Sequence, residues 1–210
     1  MGLLLATLAA LGNLAGGFLV VAPRRSSRTL LRVFVAVGAG FLLCVALLRM
    51  LPRALEVDPT RALPLVVVGY FLTHLFEHAL VRHFHFGEEV HADVVHSHPS
   101  MAAVVGLGLH SFFDGVSIAA GYHFGASLGW IVFLAIALHK LPEGFTIASI
   151  VRASGGRPRS ALLASGAVGA ACMLGATAMA GRADWAGEGL ALATGVTVYV
   201  AATDLVPEVN

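Results

Sequence analysis

Apolar residues fill the chain in seven long blocks, at about 2–22, 30–51, 63–81, 101–122, 127–151, 161–180 and 189–206, separated by short polar connections. A helix rising ~1.5 Å per residue crosses the ~30 Å hydrocarbon core of a bilayer in about 20 residues. The pattern therefore predicts an all-α polytopic membrane protein, a helical bundle of seven transmembrane spans forming a single transmembrane domain over residues 1–210. No positively charged stretch precedes the first block and no small-residue cleavage site follows it, so it reads as a retained helix rather than a signal peptide.

Composition agrees. Of 210 residues 58% are hydrophobic and only 12% charged, whereas soluble domains carry about a quarter charged residues. A formal net charge of +1, with arginines in short scattered groups, leaves no basic face for nucleic acid. The lipid bilayer is the expected surrounding, and composition leaves a homodimer open. Arg24, Arg25, Arg28, Arg32, Arg82, Arg152, Arg157 and Arg159 flank one set of span ends, and Arg49, Arg53, Arg61 and Arg182 the other. Positive residues mark the cytoplasmic side, so this balance places the N-terminus outside and Asn210 at the cytoplasmic face. Cys44 and Cys172 lie inside apolar blocks and read as packed small side chains rather than a disulfide. Small residues four apart, Gly12 with Gly16 and Ala171 with Gly175, permit close helix approach, although ordinary membrane composition accounts for them equally well.

The polar stretch at about 82–100 differs. It interleaves His83, His85, His91, His96 and His98 with Glu88, Glu89 and Asp93. Such a loop can capture borderline-soft divalent metals weakly, without the fixed spacing of a structural zinc site.

Titratable groups deep in a bilayer are costly unless paired, hydrated or bound to an ion. Two spans carry them in one format. The fourth reads HSFFDG from His110 through Ser111 to Asp114 and Gly115; the fifth reads HKLPEG from His139 through Lys140 and Pro142 to Glu143 and Gly144. An imidazole and a carboxylate four apart share one helix face, and the short connection near 123–127 makes the two spans antiparallel neighbours. Counting ~1.5 Å per residue from that turn, Asp114 lies about 12 Å deep, His110 and His139 about 18 Å and Glu143 about 24 Å. Facing helices then assemble two imidazoles and two carboxylates around one cation, a set suited to zinc and tolerable for iron, manganese or cadmium. Pro142 withholds a backbone donor from the Leu138 carbonyl, which predicts a kink beside the ligands. Gly115 and Gly144 remove bulk next to each carboxylate. A single such pair could merely fix helix register; two adjacent ones favour a metal. His74, Glu77 and His78 share one end of the third span, as pathway residues or interfacial anchors, and Asp204 of the seventh span is a pathway or bundle residue.

These motifs resemble the fourth and fifth transmembrane helices of the ZIP family of divalent metal transporters. The similarity extends through GAGFLLCVALLRMLP in the second span, the His-rich loop, and ATGVTVYVAATDLVPE in the seventh. The resemblance implies eight helices, of which the last is absent from these seven, and a transport bundle of helices two, four, five and seven. It also implies a binuclear-type metal centre between helices four and five, and entry of metal, as substrate, into the cytoplasm. The His-rich loop is then cytoplasmic and the location an inner or plasma membrane, as in prokaryotic members; no organic cofactor is implied. Carried over by position, the primary site is His110, Asp114, His139 and Glu143, and the second subsite falls on Ser111 and Lys140. An ammonium cannot coordinate metal and supplies the charge a second ion would bring, so Lys140 suggests a one-ion site. Arg49 stands where many relatives carry histidine, and the sixth span lacks a carboxylate. The rival readings are an intramembrane zinc hydrolase and a metal sensor built on the His-rich loop.

Overall fold

In a computed structural model, residues 1–22, 28–77 and 99–205 are described, and among them every regular element is helical. Helix α1 is Gly2–Val21. Helix α2 (Arg28–Val45) passes through a π-helical turn at Ala46–Met50 into α3 (Leu51–Val57). Pro52 lacks a backbone donor, and the wider turn just before it, closed by Leu51 N–H to Ala46 O, carries the helix past this gap. Then come α4 (Ala62–Leu75), α5 (Pro99–His123), α6 (Ala126–Ala153), α7 (Pro158–Ala180) and α8 (Ala186–Tyr199), the last extended by a π-helical stretch at Val200–Leu205. These match the seven expected spans. Among the described residues five, at Gly2–Val21, Val33–Val57, Ala103–His123, Ala126–Ala153 and Pro158–Ala180, are long and apolar enough to cross a bilayer.

Burial is inverted relative to a soluble protein. Leu48, Phe71, Leu163 and Leu174 face outward, whereas Asn13, Ser111, Asp114, Lys140 and Ser165 are buried. An apolar solvent outside and polar groups paired within is the arrangement lipid requires.

Three helix pairs are closed by reciprocal glycines. A Cβ on Gly16 of α1 would fall on the Leu141 carbonyl of α6, and one on Gly144 would fall on the Asn13 backbone. Gly115 of α5 meets the Cys172 carbonyl of α7, and Gly175 the Phe112 carbonyl; Gly69 of α4 meets the Leu192 carbonyl of α8, and Gly195 the Val66 carbonyl. Backbones approach this closely only where side chains are missing. Helices α5 and α6 are therefore gripped most extensively by α1 and α7. This departs from the bundle of helices two, four, five and seven implied by the resemblance: α2 packs on α6 and α8 on α5 less extensively.

At one end of the bundle the turns lock together. Arg53 of α3 lies over the Phe124 ring, 4.8 Å from its centroid. Arg61 reaches Glu188 at 3.7 Å, and His123 Nε2 lies 3.2 Å from the Met179 carbonyl oxygen. These contacts gather the α3–α4, α5–α6 and α7–α8 connections at one end, as alternating spans require.

Candidate metal centre

Helices α5 and α6 turn back on each other within Phe124–Gly125, where Gly125 adopts φ 137°, a conformation that residues with a Cβ rarely take. This reversal lays the His110–Asp114 face of α5 against the His139–Glu143 face of α6. Helix α6 runs unbroken through Pro142.

His110, Asp114, His139 and Glu143 are all buried. Each offers one ligand atom within 4.8 Å of the others. Three distances are the same: His110 Nε2 to Asp114 Oδ2, His139 Nε2 to Asp114 Oδ2, and His110 Nε2 to His139 Nε2 are each 3.3 Å. A tetrahedral ion with ligands at ~2.0–2.1 Å has ligand–ligand edges of about 3.3–3.4 Å, so these atoms form one face of such a tetrahedron without rearrangement. Glu143 offers its ligand oxygen within 4.8 Å of the other three, and its Oε1 is buried and lacks a hydrogen-bond partner. His139 Nδ1 lies 3.2 Å from the Ala135 carbonyl oxygen, a contact that fixes the ring and directs Nε2 to the site.

Lys140 is fully buried and extends along the carboxylates. Its Nζ is 2.6 Å from Asp114 Oδ2, donates to Ser111 Oγ at 2.8 Å, and contacts Glu143 Oε2. The two positions expected for a second subsite, Ser111 and Lys140, are thus joined to each other, and Lys140 joins them to both carboxylates.

A small pocket adjoins the centre, lined in part by His110, His139, Pro142, Glu143 and Thr146, and reaching Glu77. Glu77 accepts a 2.8 Å hydrogen bond from the Tyr199 hydroxyl, and the His74 ring meets Tyr199 edge-on at 5.9 Å. His74 and Glu77 therefore stand apart from the four-residue cluster, with Glu77 bordering the cavity that leaves it. His78 and the loop histidines His83, His85, His91, His96 and His98 lie outside the described residues. Asp204 belongs to the stretch Val200–Leu205, with its side chain likewise outside the description. Cys44 and Cys172 are both unpaired.

Asn13 of α1 was not anticipated. It is fully buried against α6. The one signal for it in the sequence is a carboxamide within the apolar run GLLLATLAALGNLAGG.

Comparison with known proteins follows the same line. The family profile described as ZIP Zinc transporter matches residues 96–210. The zinc transporter Foi of Drosophila melanogaster is 30% identical over 135 residues, covering 60% of this chain and 19% of Foi. The zinc transporter ZupT of Escherichia coli is 28% identical over 182 residues, covering 82% of this chain and 70% of ZupT. ZupT of Salmonella heidelberg is 27% identical over 180 residues with the same coverage. The chain thus spans about a fifth of Foi and about seven-tenths of ZupT.

Proposed function

The chain belongs to the ZIP zinc transporter family, and from that premise we propose that it carries a divalent metal ion, zinc above all, across the membrane toward the cytoplasm through His110, Asp114, His139 and Glu143. The observation that carries this reading is the triangle of three donor atoms, each 3.3 Å from the next, at the buried meeting of α5 and α6. Iron, manganese and cadmium suit the same mixed donors and are the competing substrates.

The residues divide the work. His110, His139 and Asp114 replace the water the ion sheds, and Glu143 completes the set. Lys140 keeps the two carboxylates charge-compensated while the site awaits an ion, so the site need not hold two buried anions unpaired. Because that ammonium stands beside both carboxylates, one ion per chain is the expected load. A carrier must also let go, and an ion that shares its carboxylates with a tethered cation is held less tightly than one that owns them. Release proceeds along the cavity past Glu77, with His74, His78 and Asp204 as further pathway groups and the histidines between 82 and 100 receiving metal on the cytoplasmic side. The N-terminus is outside, in an inner or plasma membrane.

The family is one of transporters rather than enzymes, which sets aside the hydrolase reading, and the paired buried cluster favours a carrier over a loop-based sensor. Flux of zinc and cadmium into proteoliposomes tests the proposal. Saturable uptake abolished by His139→Ala and by Glu143→Gln is expected. Uptake unaffected by either substitution in folded protein overturns it.

A further inference from the structure

We infer that Asn13, on a helix that supplies no ligand, is a positioning residue that holds Glu143 so that a single oxygen faces the transported ion. The inference rests on the transport reading above. Helix α1 is otherwise apolar through this region, yet Asn13 is 0% exposed at its contact with α6. The backbone there has no room to shift: a Cβ on Gly144 would fall on the Asn13 backbone, and one on Gly12 would lie 3.1 Å from Lys140 Cβ. The amide is therefore fixed against the turn that carries Lys140 and Glu143.

The amide orientation that satisfies its neighbours brings Nδ2 3.2 Å from Glu143 Oε2 and 2.6 Å from the Lys140 carbonyl oxygen. Both hydrogens of the NH2 group are then used, one on the ligand side chain and one on the helix that bears it. Lys140 also contacts Oε2. Two donors converge on one oxygen of the carboxylate, while Oε1 remains buried without a partner. A buried acceptor left unsatisfied in this way is costly unless something else comes to meet it, and a cation meets that need. Asn13 does so without charge. Unlike Lys140, it orients the carboxylate and does not compete electrostatically with a divalent ion. The result is a one-oxygen ligand held in place from outside the α5–α6 pair.

Cobalt(II) binding to the purified full chain in detergent tests this through a double-mutant cycle, with the visible ligand-field bands as the readout. In the wild-type background, Asn13→Ala is expected to weaken cobalt binding roughly tenfold, the scale of one hydrogen bond to a charged group, and to change band intensity as Glu143 loses its fixed orientation. With Glu143→Ala already present, Asn13→Ala should add nothing. Equal losses in both backgrounds, or no loss in either, overturn the inference and leave Asn13 as helix packing alone. Should the alanine variant fail to fold, Asn13→Leu fills similar volume without a donor and is read by the same cycle. Failure of folded wild-type protein to bind cobalt at all would instead overturn the transport reading.

Discussion

Replacing Lys140 with methionine separates the two roles assigned to its ammonium. The side chain is fully buried, with Nζ 2.6 Å from Asp114 Oδ2, 2.8 Å from Ser111 Oγ and in contact with Glu143 Oε2. Methionine preserves much of the volume and removes the charge, leaving both carboxylates in an apolar interior. Breaking a buried ion pair by deleting one partner costs ~3–5 kcal/mol. At ~2–4 °C per kcal/mol for a chain of this size, the metal-free variant should melt roughly 6–20 °C lower. The same deletion removes a positive charge from beside the ion. Unit charges 4 Å apart interact by about 4 kcal/mol at an effective dielectric of 20, so even a fraction of this relief tightens zinc binding tenfold or more. Zinc should then rescue the variant by a larger thermal shift than it gives the wild type, while flux at saturating zinc falls because release slows. Melting curves with and without zinc, alongside zinc titrations, read both effects. A metal-free Lys140→Met protein as stable as wild type, or one that binds zinc no more tightly, would refute the charge-compensation argument.

Gly115→Val should cost ~1–3 kcal/mol and weaken zinc binding, because its Cβ would meet the Cys172 carbonyl and push the ligand-bearing α5 off α7. Gly40→Ala, in a helix and with no atom near its would-be Cβ, should gain up to ~1 kcal/mol; melting temperatures of the two variants check both signs. Asp58 Oδ1 accepts hydrogen bonds from the Thr60 hydroxyl at 2.7 Å and from the Thr60 and Arg61 N–H groups at 3.0 Å each. The Thr60 hydroxyl bond, followed by the Arg61 backbone bond, holds its carboxyl below the ordinary value. With the folded value depressed, its stabilisation is complete above the unfolded value near ~3.9 and is lost as pH falls through the folded one. Asp58→Ala should therefore melt lower than wild type at neutral pH, with the difference shrinking below about pH 4, and should leave zinc affinity unchanged.

The buried four-residue cluster was legible because its information is local. Imidazole and carboxylate four apart share a face whatever else the chain does, and a connection as short as Phe124–Gly125 leaves the two helices no choice but to face each other. Span positions were legible for the same reason, since apolar length alone sets them. What sequence did not disclose depends on contacts between distant segments. Gly16 and Gly175 belonged to small-residue spacings that composition alone could explain; in the fold each lies against the backbone of a helix remote in sequence. Asn13 lies more than a hundred residues from Glu143, and no spacing rule connects them. The π-helical turns at Ala46–Met50 and Val200–Leu205 are also silent in the hydrophobic pattern, because runs that are apolar on most sides carry no phase from which an extra residue per turn can be read.

The central claim is that two imidazoles and two carboxylates of α5 and α6 hold the ion in transit. X-ray absorption at the zinc edge, on purified chain loaded with one equivalent of zinc, addresses it most directly. The account predicts nitrogen and oxygen ligands at ~2.0–2.1 Å, with the imidazole scattering reduced by about half in His139→Ala, as expected when one of two histidine ligands is lost. Sulfur at ~2.3 Å, or a spectrum unchanged by His139→Ala, would place the ion elsewhere and contradict the account.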